Sequence, residues 1–256
     1  MIRKNYLLFL GILLTTLSSC DVLLRTAGEL AVQNKPLSTE EIKQGLKEAL
    51  RVGVDTALTR LHAENGYYLD SMVKINLPPE TDEVLKYARR VPGLDSKIET
   101  LIRQVNRSAE DAALSAAPVF YQAIRSMSID DARSILAGEK DAATNYLHRQ
   151  TYDSLVSVYL PTMNRSLDKP IVAGISANQS WSEISGQWNK FATSLAGRLL
   201  EVQTLDTRLD LYVTRKALDG VFLKVAIQEA QIRTKAEARV NQLLERVFGN
   251  PSLAGS

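Results

Sequence analysis

Apolar residues recur every three or four positions along most of the chain, which is the period of an amphipathic α-helix. The regular pattern begins at Ser38, where Ser38 and Glu41 form the sequence signature of a capping box. One stretch departs from it: GYYLDSMVKINLP, near 67–77, alternates polar and apolar residues and predicts at most one short strand or extended arm. The pattern therefore predicts an all-α protein with a single multi-helix domain over residues 38–249.

Cap signals place several helix boundaries inside this domain. Three further pairs of a serine or threonine with an acidic residue three positions later predict helix starts: Ser128–Asp131, Ser180–Glu183 and Thr234–Glu237. We expect two separate helices over 141–150 and 152–164, then a loop over 166–180. A long helix is predicted from about Leu209 to Ile232.

On that long helix, a carboxylate interrupts the apolar side. Phe222, Val225 and Ile232 share one face, and Glu229 falls near the middle of it. An unpaired buried carboxylate costs several kcal/mol, so a cationic partner is required. Arg233 lies four residues later, within reach along the helix, and Arg103 or Arg107 from another helix are alternatives. The pattern favours a buried ion pair that fixes the helix, with a ligand site as the second interpretation.

A second polar group lies on the helix that begins at Asp95. Asn106 and Glu110 fall roughly 80° and 120° from the centre of its apolar face, where a neighbouring helix would cover them. With Asp131, Thr144, Tyr146, Glu229 and Arg233, they form a candidate polar cluster. It is interpreted either as a ligand site or as a hydrogen-bond network that fixes helix register.

Motifs for other chemistry are absent from the sequence. The chain has two histidines, His62 and His148, and one cysteine, so we expect no metal site. It has no phosphate-binding loop, dinucleotide fingerprint or serine-hydrolase motif, and no cofactor is expected. A catalytic hypothesis depends on Glu110 and Glu229 acting as a carboxylate pair in acid–base chemistry.

The N-terminus carries the features of a secretory signal peptide over residues 1–19. A short cationic segment with Arg3 and Lys4 precedes the apolar run YLLFLGILLTTL, which is shorter than the roughly 20 residues that span a bilayer. LSSC, at 17–20, resembles the lipobox of bacterial lipoproteins. The resemblance implies a diacylglycerol on the sulfur of Cys20, cleavage before Cys20 and a further acyl chain, such as palmitate, on the new amine. Residues 20–37 would form a lipidated tether and 250–256 a tail.

Signal removal also changes the charge balance. Loss of Arg3 and Lys4 reduces the 31 basic residues to 29, which equals the number of acidic residues. A neutral chain without a basic patch is not expected to bind nucleic acid. The expected partners are a membrane, through the acyl chains on Cys20, and an envelope protein, peptide or lipid ligand.

Four segments together resemble the domain of unknown function 4197 family of bacterial envelope proteins, many of which are lipoproteins: GLKEALRVGVDTAL (45–58), GYYLDSMVKINLP (66–78), the run from Asn106 to Leu147, and YVTRKALDGVFLKVAIQEAQIR (212–233). The resemblance covers 38–249. It implies a single domain and recurring positions at Asn106, Glu110, Asp131, Gly138, Thr144, Tyr146, Glu229 and Arg233. It implies no activity, substrate or cofactor.

These observations predict a lipid-anchored cell-envelope protein, held on the inner or outer membrane with its domain in the periplasm. Its expected role is a non-catalytic binding or scaffolding module. The alternative is an envelope enzyme that uses the Glu110 and Glu229 carboxylates.

Overall fold

The computed structural model describes residues 37–88 and 94–249. Within these residues the chain is helical and contains no strand or sheet, which confirms the prediction of an all-α domain. The helices are α1 Thr39–His62, α2 Asp82–Ala88, α3 Leu94–Ala112, α4 Ala117–Ser126, α5 Ile129–Leu136, α6 Ala142–Leu167, α7 Ala177–Ala192, α8 Leu195–Leu199, α9 Leu209–Thr234 and α10 Gln242–Phe248. Short 3₁₀ turns cover Pro79–Thr81, Ala113–Ala116 and Ala236–Ala238.

Helix α9 lies at the centre of the domain and packs against α6 and α1, and α6 also packs against α3. The side of α9 that carries Val213, Ala217, Val221 and Val225 is fully buried. Burial of this stripe supplies the main driving force for assembling the long helices, since each large buried apolar side chain contributes about 1.5–3 kcal/mol.

Of the four predicted helix starts, two are present and two are displaced. Ser38 and Ser128 cap α1 and α5, each with the reciprocal bond from the third residue. The prediction of a start at Ser180 is wrong. Helix α7 begins one turn earlier, because the Ser176 hydroxyl accepts from the Gln179 N–H and the Gln179 side-chain oxygen accepts from the Ser176 N–H. This is a capping box that uses glutamine instead of glutamate.

The predicted break near residue 151 is also wrong, because α6 continues without interruption to Leu167. Thr151 is buried, and its hydroxyl donates to the carbonyl oxygen of Leu147 at 2.7 Å, one turn back along the same helix. This bond satisfies the hydroxyl inside the helix, so the threonine does not end it.

The final helix starts later than predicted. Helix α9 runs to Thr234, and α10 begins after Asn241, whose side chain accepts from the Leu244 N–H. Arg239 donates to the carbonyl oxygens of Ile232 and Arg233, which occupies acceptors at the end of α9 and turns the chain away.

Between α1 and α2 the chain forms the arm, residues 67–78. Turns cover most of 67–73, residues 74–78 have no regular secondary structure, and no strand forms in this stretch, within the prediction of at most one short strand or extended arm. Val73, Ile75 and Leu77 point into the core. Gly220 of α9 lets the arm approach closely, because a Cβ there would lie 2.9 Å from the Tyr67 ring.

No helix among the described residues has the length and hydropathy needed to cross a membrane. The predicted signal peptide, Cys20, the tether up to residue 36 and the tail at 250–256 lie outside the described residues.

Candidate functional site

The first buried carboxylate is Glu229 on α9, whose side chain is 7% exposed. Its Oε1 accepts from the Ala143 N–H at 3.0 Å, and its Oε2 accepts from the Thr144 N–H and hydroxyl, each at 2.8 Å. The Nε–H of Arg233, one turn later, donates to Oε1 at 3.0 Å, and the Nη2 atom of Arg233 lies 2.9 Å from the same oxygen. The carboxylate is therefore surrounded by donors and carries the ion pair that the spacing predicts.

Glu229 caps the start of α6 from a different helix. The residue in the capping position, Asp141, makes no side-chain bond to the helix N-terminus, so Ala143 and Thr144 would have unpaired N–H groups. The carboxylate of Glu229 takes both, and its negative charge is favourable at the positive end of the helix dipole. Arg233 also donates to the carbonyl oxygen of Ile135, near the end of α5. Glu229 and Arg233 thus join α5, α6 and α9.

The space beside Glu229 is too small for a ligand. The cavity there measures about 10 Å³, roughly the room needed for one water molecule. Most of its walls are apolar side chains of α1, α9 and α10, among them Leu50, Val225 and Phe248. A substrate could reach the carboxylate only after these helices separate.

The second buried carboxylate, Glu110 on α3, has the same arrangement with different partners. Its oxygens accept from the N–H groups of Asn65, Tyr67 and Tyr68 at 3.0–3.2 Å. Arg107, one turn earlier on α3, donates to Oε2 at 2.7 Å. Glu110 therefore fastens the turn after α1, where Asn65 has a left-handed backbone with φ of 68°.

Asn106, one turn before Glu110, holds the arm. Its Oδ1 accepts from the Ile75 N–H, and its Nδ2 donates to the Ile75 carbonyl oxygen, both at 2.8 Å. The side-chain amide thus takes the place of a neighbouring strand for one residue of the arm. The prediction that a neighbouring helix covers Asn106 and Glu110 is wrong, because the turn after α1 and the arm cover them.

Charge on the Glu110 side is balanced by Arg107. Partial burial disfavours the charge of Arg107, but its bonds to Glu110 and to Glu64 outweigh this and raise the pKa of Arg107 above its ordinary value. The guanidinium therefore stays charged at every physiological pH. Arg107 pairs within α3, so it is not the partner of Glu229 that the sequence left open as an alternative.

Glu110 and Glu229 are placed in two separate clusters. Their hydrogen-bonding partners have no residue in common, and Glu110 does not line the cavity beside Glu229. Each carboxylate is surrounded by donors and paired with an arginine of its own helix. The oxygens of both carboxylates are thus occupied by internal donors, whereas an acid–base catalyst must be within hydrogen-bond reach of its substrate. The geometry counts against a shared catalytic pair.

The remaining residues of the predicted cluster lie near the Glu229 side. The Thr144 N–H and hydroxyl donate to Glu229 directly, and the Tyr146 hydroxyl lies 3.5 Å from Asp131, the third residue of α5, which completes the capping box of Ser128. Hydrogen bonds from the Ser128 N–H and hydroxyl lower the pKa of Asp131, and burial, followed by the charge of Asp131, raises the pKa of Tyr146. These shifts keep Asp131 ionised and Tyr146 neutral, which suits a structural contact between α5 and α6.

Metal ligands are not clustered in the described part of the chain, where no group of three or more His, Cys, Asp or Glu side chains could hold an ion. His62 bonds through Nδ1 to the Glu110 carbonyl oxygen at 2.8 Å. His148 stacks on Tyr152 and contacts Phe222. Both histidines thus make contacts inside the domain.

An open groove lies between two walls, one formed by the arm and the start of α2, the other by one face of α9. Its volume of about 500 Å³ is within the usual range of ligand sites. Its lining includes two cations, two anions and exposed or half-exposed apolar side chains: Lys74, Lys216, Asp82, Asp219, Met72 and Leu223. The hydroxyl of Tyr212 donates to the Asn76 carbonyl oxygen at 3.1 Å and closes one end. This groove, unlike the two carboxylate clusters, is accessible to a ligand.

Sequence reasoning missed the backbone partners of both carboxylates. Ala143, Asn65, Tyr67 and Tyr68 contribute N–H groups, which leave no trace in side-chain patterns. The Asn65-Gly66 turn signal was visible, but nothing local linked it to Glu110, 45 residues away. The pairing of Arg107 with Glu110 could have been found from their spacing of three.

Comparison with known proteins decides the family. A family model described as "Protein of unknown function (DUF4197)" matches residues 36–249. The chain belongs to this family. The matched residues run from the cap of α1 to the end of α10, and so include both carboxylate clusters and the groove. No curated protein and no solved structure matches the chain.

Proposed function

We propose that this DUF4197 protein is a lipid-anchored envelope protein whose helical domain is a non-catalytic binding or scaffolding module facing the periplasm. The saturation of Glu110 and Glu229 by internal donors carries the non-catalytic part, since the two best candidates for acid–base residues are already used to hold the fold. The lipobox at 17–20, with Cys20 as the single cysteine of the chain, supports the anchor.

The groove between the arm and α9 is the surface we assign to partner binding. Its formal charges balance, because its lining contains two lysines, Lys74 and Lys216, and two aspartates, Asp82 and Asp219, so it offers no selectivity for an anion. Apolar area from Leu223, on the α9 wall, supplies a contact whose burial would contribute to affinity. A protein or peptide partner of the envelope fits this mixture of polar and apolar groups.

The anchor is tested by fractionating cells that produce the wild type or Cys20→Ser. We expect the wild type in the membrane fraction, resistant to high salt, because two or three acyl chains hold a protein firmly. Cys20→Ser should appear in the soluble fraction or as uncleaved precursor. Equal, salt-resistant membrane recovery of processed wild type and variant would contradict lipid anchoring.

Binding is tested by cross-linking and mass spectrometry on the native acylated protein, with one substitution in the groove. Leu223→Glu places a charge on the α9 wall, and we expect it to reduce partner recovery at least about tenfold, as loss of one buried apolar contact implies. Val158→Glu is the matched control: Val158 is an exposed apolar residue of α6 outside the groove. Recovery reduced equally by both variants, or no partner beyond bulk lipid, would contradict the assignment.

A further inference from the structure

The short helix α8 and its flanks carry the densest group of exposed leucines in the described part of the chain. Leu195 is 75% exposed, Leu199 76% and Leu200 59%, and Phe191, at the end of α7, is 37% exposed. Surface leucines scattered singly are ordinary, whereas several within ten residues indicate a contact surface. We call Phe191, Leu195, Leu199 and Leu200 the leucine patch.

Helix α8 carries its apolar leucines on the side that faces away from the protein, the reverse of the usual arrangement in a surface helix. Gly197 is its buried residue, and a Cβ there would lie 2.2 Å from the Phe191 carbonyl oxygen, so this side of α8 packs directly on the backbone of α7. Leu195 and Leu199 are two residues before and after Gly197, which places both roughly 160° around the helix from it. The smallest residue faces the protein and the leucines face away.

The packing of α8 is fixed, so the leucines do not turn inward. The Ser194 side chain caps α8 by accepting from the Gly197 N–H at 3.2 Å. The side chain of Arg198 donates to the Thr193 carbonyl oxygen at 3.0 Å and ties α8 to the end of α7. A rigid unit therefore presents the patch to the surroundings.

The charges around the patch complement an anionic surface. Lys190, next to Phe191 in the chain, and Arg198, next to Leu199, are both exposed, and Glu201 is the one acidic residue between 189 and 201. Cations beside an exposed apolar face are the arrangement by which interfacial helices bind membranes.

We propose that the leucine patch inserts into the lipid surface to which Cys20 anchors the protein, and so holds the domain in one orientation on that membrane. This inference rests on the proposed lipid anchor. Roughly 17 residues separate Cys20 from Leu37, and an extended chain of that length spans at most about 60 Å. The domain is thereby confined near the bilayer, which raises the effective concentration of the leucine patch at the lipid surface.

The inference is tested without the anchor, using the mature chain with Cys20→Ser, so that membrane binding depends on the domain alone. Vesicles of phosphatidylcholine with one third phosphatidylglycerol are floated with this protein and with the same chain carrying Leu195→Gln and Leu199→Gln. The control carries Leu69→Gln and Val240→Gln, which replace two exposed apolar residues elsewhere, 71% and 66% exposed. Circular dichroism verifies that all three are folded.

We expect the parent and control chains to bind the vesicles and the patch variant to bind at least about tenfold less, because each leucine buried in lipid contributes 1.4 kcal/mol or more. Absence of vesicle binding by the parent would overturn the inference, and acylation of Cys20 in the wild type would still stand. Equal binding by the patch and control variants would also overturn it. Dimers of the parent that dissociate in the patch variant, measured by sedimentation without lipid, would instead assign the patch to a second copy of the chain.

Discussion

Replacing Glu229 by alanine removes the group that joins α5, α6 and α9. The Ala143 and Thr144 N–H groups lose their acceptor at the start of α6, and the Arg233 guanidinium, 12% exposed, loses its counter-ion. Breaking a buried ion pair from one side typically costs about 3–5 kcal/mol. Because a domain of this kind is stable by only about 5–15 kcal/mol, we expect Glu229→Ala to be near the limit of folding.

Two further substitutions distinguish the contribution of the carboxylate oxygens as acceptors from the contribution of the ion pair. In Glu229→Gln the amide nitrogen must replace one carboxylate oxygen, and both oxygens face only donors, so the variant should lose about 2–3 kcal/mol despite its similar shape. In Arg233→Met the carboxylate still accepts from the Ala143 and Thr144 N–H groups and the Thr144 hydroxyl at the positive end of the α6 dipole. Because these donors compensate its charge, the cost should stay below that of an uncompensated buried charge, at about 1–2 kcal/mol. The order of stability is therefore wild type, Arg233→Met, Glu229→Gln, Glu229→Ala.

Urea unfolding followed by circular dichroism measures these differences, and the melting temperature of Glu229→Ala should fall by roughly 10–15 °C. Asp219→Asn is the control, since Asp219 forms an ion pair on the same helix, with Lys216 at 3.6 Å, in which both side chains are about half exposed. It should change stability by less than about 1 kcal/mol. If Glu229→Ala remained within about 1 kcal/mol of the wild type, the carboxylate would not be holding the three helices together, and a functional role for it would regain support.

Three further predictions concern other parts of the fold. Asn106→Ala should lose about 2–4 kcal/mol in urea unfolding, because the Ile75 N–H and carbonyl oxygen are left without partners in a buried place, and a loss below 1 kcal/mol would contradict the role given to Asn106. Tyr67→Phe should lose about 1 kcal/mol, since the fully buried hydroxyl donates to a carbonyl oxygen of α9, and unchanged unfolding would contradict that bond. Bonds from the Ser38 N–H and hydroxyl, and from Arg246, lower the pKa of Glu41 from 4.5 to about 2, so the stabilisation by Glu41 is complete above pH 4.5 and is lost as the pH falls towards 2. The stability difference between the wild type and Glu41→Gln should therefore shrink between pH 5 and pH 2.5, and a constant difference would contradict this.

The helices were predictable from the sequence because their signals are local. Ser38 with Glu41 and Ser128 with Asp131 are capping boxes in the sequence and in the structure. The predictions at Ser180 and Thr234 failed because other residues nearby set the helix ends. Ser176 with Gln179 starts α7 one turn before Ser180. Arg239 bonds the last carbonyl oxygens of α9, so no helix starts at Thr234.

The polar clusters were predictable only in part. The spacing of Glu229 and Arg233 gave the ion pair, since both ends lie on one helix. What Glu229 does for α6 could not be predicted, because its acceptor role depends on backbone N–H groups 85 and 86 residues away. The contact between Asn106 and the arm could not be predicted for the same reason. The alternating pattern of the arm is local, whereas its contact with α3 is long-range.

The proposed lipid anchor is tested most directly at the N-terminus of the protein. The measurement is the mass of the N-terminal peptide of the mature protein, isolated from the membranes of its own host. We expect a peptide that begins at Cys20 and carries a diacylglycerol on the sulfur and an acyl chain on the amine, or a free amine where the host adds only two chains. An unmodified Cys20, or a chain that still begins at Met1, would contradict it.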